Sequence, residues 1–129
     1  MKRLLFIIII LLSLFLIKIP KYTELNHLII IESIGVDCNN NKTTIYFKEI
    51  IPTKNDNDIN YKYKIYQKTN SNIDLAYKEL KEKIKNKIYL RKTKYLITNC
   101  SNNNIIIEYF NIRPKTIKSN NIKKELKNN

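Results

Sequence analysis

Residues 28–36 read LIIIESIGV, and no other nine residues limit the fold so tightly. Isoleucine is β-branched, and its restricted χ1 favours an extended backbone. The cluster Asp37-Cys38-Asn39-Asn40-Asn41 follows, and such short polar side chains turn the chain. A strand is therefore predicted. Residues 28–31 are apolar on both faces, which places that strand inside a sheet rather than at its edge. Gly35 is the only glycine in 129 residues. Inside a strand it marks a bulge or a close approach by another part of the chain. One glycine also excludes any phosphate-cradling loop that needs several.

The patterns that follow build a sheet around this strand. Residues 43–51 alternate, with Ile45 and Phe47 on one side and Lys48 on the other, and predict an antiparallel partner ending at Pro52. After a polar connection, residues 61–68 alternate again. Tyr61, Tyr63, Ile65 and Gln67 point one way, and Lys62, Lys64, Tyr66 and Lys68 point to water. Residues 72–90 carry Ile73, Tyr77, Leu80, Ile84 and Ile88 on one helical stripe, widened by Ala76. Ser71 with Asp74 reads as a capping box, and lysines at the far end suit the helix dipole. Residues 93–98 form a short strand that returns to the sheet. Residues 101–112 fit a strand by propensity and a helix by spacing, and the helix is the reading adopted. Residues 113–129 read as a polar, basic tail around isolated Ile117, Ile122 and Leu126. The expectation is an α+β domain over 22–112, with a mixed sheet of about four strands in the order β-β-β-α-β and a second helix after it.

Ahead of this domain, Lys2 and Arg3 precede an apolar run from Leu4 to Ile17, broken only by Ser13 and closed by Lys18. Fourteen helical residues reach about 21 Å, short of a hydrocarbon core of about 30 Å. That length suits a signal-peptide core, yet residues 15–23 lack a small-x-small cleavage site. A retained signal anchor over 1–21 is the expectation, and a signal peptide cleaved at an unusual site is the alternative. The anchor's flanking lysines extend the span by snorkelling, and the folded part lies outside the cytoplasm. The net charge of +13 suggests nucleic acid, but only three of the 24 basic residues are arginine. Arginine is the better bidentate ligand for phosphate and guanine, so a nucleic-acid partner is set aside. A lysine-rich surface suits anionic headgroups instead.

Catalytic chemistry finds no support. One histidine, His27, has no ligand partners at metal-binding spacing, and neither a nucleophile elbow nor a carboxylate pair is visible. The chain reads as non-enzymatic, without a cofactor. Cys38 and Cys100 each follow a predicted strand. Parallel neighbouring strands would bring them to one sheet end and allow a disulfide outside the cytoplasm, while two free thiols are the commoner outcome for cysteines this sparse.

The order of these segments resembles one family. An apolar N-terminal segment, then Glu24-Leu25-Asn26, then a strand closing on Ile34-Gly35-Val36-Asp37, is similar to the C subunits of spore germinant receptors, the Ger(x)C proteins. Ile50-Ile51-Pro52 looks like the end of that family's second strand. The helix leading into Arg91-Lys92-Thr93-Lys94-Tyr95-Leu96-Ile97 looks like its helix and following apolar strand. The resemblance spans about residues 24–119 and covers the family's N-terminal domain only, so it implies a truncated relative. It implies a membrane-attached, non-catalytic protein on the outer face of the spore inner membrane. Its partners would be the integral-membrane subunits of a receptor that starts nutrient-triggered germination. Family members carry a lipid-bearing cysteine just ahead of Glu-Leu. Lys21-Tyr22-Thr23 stands there instead. An unrelated membrane-tethered module that binds the envelope or a lipid surface is the second expectation.

Overall fold

A computed structural model of the chain describes residues 27–39, 41–54 and 59–129. The expected signal anchor over 1–21 and Glu24-Leu25-Asn26 lie outside the described residues. Among the described residues, no helix is long and apolar enough to cross a membrane.

The fold is α+β. Strands β1 (Leu28–Asn39), β2 (Lys42–Lys54) and β3 (Ile59–Asn70) form an antiparallel meander. Helix α1 (Ile73–Ile84) follows, then β4 (Lys87–Tyr89), β5 (Tyr95–Thr98), helix α2 (Asn103–Phe110), β6 (Lys115–Lys118) and helix α3 (Ile122–Asn128). The sheet order is β3-β2-β1-β5-β6, and β4 pairs with the first residues of β1. Among the described residues, six strands thus replace the four expected. The single strand expected over 93–98 is one part of a broken edge. Both β4 and β5 run parallel to β1, opposite Leu28–Ile30 and Ser33–Val36 respectively.

The central position of β1 follows from its composition, and a bulge explains its pattern. Ile31 pairs with Glu49 but Ser33 pairs with Lys48, so Glu32 is an extra residue in β1. The insertion switches the parity of the strand. Ile29 and Ile31 before it, and Ile34 and Val36 after it, therefore all enter the same core. That core lies under α1 and α2, with Phe47, Leu80, Leu96, Ile106 and Phe110. Tyr77, Phe110 and Phe47 meet edge to face, with centroids 5.3–6.0 Å apart.

Several boundaries differ from the sequence reading, each for a local reason. The cap of α1 is Asn72, not Ser71, and its Oδ1 accepts from the Leu75 amide at 2.9 Å. The helix ends at Ile84 because Lys85 turns left-handed, with φ of 60°, and its N–H closes on the Lys81 carbonyl. Ile88, expected on the helix stripe, sits in β4 instead. Pro52 does not end β2. It pairs with Tyr61, at a point where β1 no longer pairs with β2, so the missing N–H costs no ladder bond there.

Residues 113–129, read as a tail, carry β6 and α3. Ile122 and Leu126 are buried, and with Ile97 they form a second core on the opposite sheet face, flanked by Tyr46, Ile65 and Ile117. Two apolar side chains four residues apart suffice for a short helix when a sheet face awaits them, at about 1.5–3 kcal/mol each. The described residues form three layers: two helices, the sheet, one helix.

Candidate functional site

At Gly35 the sheet and α3 approach closely. A Cβ built there would lie 2.6 Å from Ile122 Cγ2, 2.9 Å from Leu126 Cδ1 and 3.1 Å from Tyr46 Cβ. Of the two meanings a strand glycine can have, this one marks the close approach, while the bulge sits three residues earlier at Glu32. The segment Ile34-Gly35-Val36-Asp37 thus divides its roles. Ile34 and Val36 fill the larger core, Gly35 seats α3, and Asp37, half-buried, stays in the sheet opposite Thr44.

Asp37 and Cys38 are tied to the end of β5. The Asn99 side chain donates to Asp37 Oδ1 at 2.7 Å and accepts from the Cys38 amide at 2.7 Å. Cys38 and Cys100 form a disulfide with Cα atoms 5.2 Å apart, which the parallel pairing of β1 and β5 makes possible. It closes a loop across 62 residues, worth about 4 kcal/mol in the chain-entropy account. A cavity of about 330 Å³ opens beside it, between the starts of α1 and α2, lined by Val36, Cys38, Ile73, Cys100 and Ile105.

A charged group at the bulge was not anticipated. Glu32 is buried and faces two lysines: Lys94 at 3.1 Å and the equally buried Lys48 at 3.7 Å. Lys48 Nζ also lies 4.1 Å from the centre of the Tyr63 ring. The Glu32 carboxylate holds the Lys94 ammonium above its usual pKa. Glu32 Oε2 and Ser33 Oγ have no hydrogen-bond partner among the described residues. Glu32 and Ser33 in the apolar run of β1, and Lys48 in β2, were the available signal. A bulge places an acid where regular alternation would not.

These groups join neighbouring strands to one another. Among the described residues, no three of His, Cys, Asp and Glu are grouped to hold a metal. His27 lies exposed just before β1, apart from the cysteines. Tyr109 donates to Asp74, and burial together with that carboxylate pushes its phenol up to about 12. That contact joins α1 to α2 and is structural. Leu75 on α1 and Ile105 on α2 are exposed singly, while three exposed apolar side chains cluster at the start of β3: Ile59, Tyr61 and Tyr63 are 66%, 53% and 51% exposed and share one face. Compared with known proteins, the chain matches no family model, no curated protein and no solved structure.

Proposed function

We propose that the protein is a membrane-anchored, non-enzymatic subunit, or the N-terminal part of one, of a spore germinant receptor. It acts in nutrient-triggered germination by binding the receptor's integral-membrane subunits. The observation that carries this reading is the succession of Glu24-Leu25-Asn26, a central strand closing on Ile34-Gly35-Val36-Asp37, and a strand through Ile50-Ile51-Pro52, all after an apolar run. The order β1-β2-β3-α1-β4-β5 follows the element order expected from that resemblance except for the added three-residue β4. The disulfide is in keeping with a domain outside the cytoplasm. Anchoring confines the domain to the membrane plane, where its effective concentration near membrane partners is high. Deletion of the gene tests the role: spores lacking the protein should respond less to nutrients and normally to non-nutrient triggers. An unchanged nutrient response in a strain whose wild-type spores contain the protein contradicts it.

A second reading is favoured by one feature, the exposed Ile59, Tyr61 and Tyr63 beside Lys62 and Lys64. An unrelated membrane-tethered module could set that ribbon against the envelope or a lipid surface. Sedimentation of the protein with anionic vesicles in the absence of any receptor subunit would support it.

A further inference from the structure

Strand β3 forms one edge of the sheet, and among the described residues no strand pairs with its outer side. It is 12 residues long, about 40 Å at strand rise, whereas β6 at the other edge has only 4. Every second residue of β3 therefore turns its N–H and C=O outward, and such a row templates another strand. The side chains next to that row alternate in chemistry. Tyr61, Tyr63 and Ile65 lie on the α3 side of the sheet, and Lys62 and Lys64 lie exposed on the α1 side. Lys68, further along, is already paired with Glu79 at 3.0 Å.

We propose that the outer edge of β3 is a strand-addition site for an extended peptide segment that alternates acidic with apolar or aromatic side chains. Backbone bonds would give affinity, and alternate side chains would give selectivity. Acidic residues of the added strand come opposite Lys62 and Lys64, and its apolar residues come opposite Tyr61, Tyr63 and Ile65. The charge pattern selects this occupant. A second copy added antiparallel, with matching faces, brings the two lysine rows together, which opposes pairing. Lysines on an edge commonly serve to deter any pairing. Here they deter positively charged strands and favour acidic ones, so the sign of the partner's charge is the discriminating variable. The inference does not depend on the germinant-receptor reading, since it concerns how a partner strand is held, whichever protein supplies it.

The test uses the full chain in detergent micelles and two synthetic nine-residue peptides. One alternates glutamate with tyrosine and valine, and the other has lysine in place of glutamate. Amide exchange is followed residue by residue. The glutamate peptide should slow exchange at alternate amides within residues 59–70, and the lysine peptide should not. Lys62→Glu/Lys64→Glu should weaken the glutamate peptide about tenfold, the scale of two exposed ion pairs turned repulsive, and should strengthen the lysine peptide. Both substituted positions are exposed, and an unchanged circular-dichroism spectrum confirms the variant's fold. Equal binding of both peptides, or protection outside β3, overturns the proposal. So does protection of the outward β3 amides in the chain alone, which gives the edge to a second copy if the mass doubles and to the chain's own residues if it does not. Protection of residues 59–63 by phosphatidylserine vesicles, with no effect of either peptide, gives the ribbon to lipid and also overturns it.

Discussion

Gly35 and Glu32 show how two residues of one strand set the geometry of the whole sheet. At Gly35 a valine would drive methyls into Ile122 and Leu126, which are already within 3 Å of the Cβ position. Overpacking of this kind costs about 1–3 kcal/mol. Gly35→Val should lower the denaturation midpoint accordingly, and Ile122→Ala added to it should recover part of the loss. Strictly additive effects in that double-mutant cycle would mean that the two residues do not touch. Glu32 poses a different problem, because it serves two lysines. Glu32→Ala strands Lys48 in the sheet interior and should cost about 3–5 kcal/mol. Lys48→Met should cost clearly less, because Lys94 still neutralises Glu32. Urea unfolding of both variants checks the order, and equal losses would show that the Lys48 contact, not the carboxylate, holds the group together.

At the scale of elements, legibility followed periodicity. The first three strands and α1 were readable because their apolar residues recur at clear intervals over many residues. The end of α1 was not, since Ile88 continues the helical stripe from Ile84 while the break is made by a left-handed Lys85 with no glycine to signal it. The bulge at Glu32 was readable in principle, because the apolar positions shift from Ile29 and Ile31 to Ile34 and Val36. Helix α3 left only Ile122 and Leu126 amid asparagine and lysine, and its partner surface is a missing side chain, Gly35, 87 residues upstream. Among the candidate site residues, the Cys38–Cys100 link needed the knowledge that β1 and β5 are parallel neighbours, which spacing does not contain. The junction of α1 and α2 carries a pH signature. The Tyr109 phenol is raised from 10.0 to about 12, so the folded state favours its neutral form. Its contribution to stability is therefore full below about pH 10 and is lost as pH rises toward 12. Wild type should lose its stability advantage over Tyr109→Phe across that window. A constant difference between them from pH 8 to pH 11.5 in urea melts would remove the contact from the account.

For the whole molecule, the described residues form three layers pinned by a disulfide, and the proposed role adds a tether and a membrane partner. The strand directions place Leu28 at the same end of the sheet as the close of β2 and the opening of β3. A retained anchor over residues 1–21 would therefore keep that end, with Glu32, Lys48, Tyr61 and Tyr63, toward the membrane. The protein should fractionate with membranes and resist extraction by high salt, because apolar insertion is not screened as charge is. A soluble protein beginning near Tyr22 would establish cleavage and remove the tether. The central claim is that the protein works by binding receptor subunits in the membrane, and co-purification tests it most directly. Tagged protein recovered from detergent-solubilised spore membranes should bring with it a multi-span integral-membrane subunit. Recovery of the tagged protein in quantity, from membranes that contain the receptor subunits, with none of them attached, would contradict the claim.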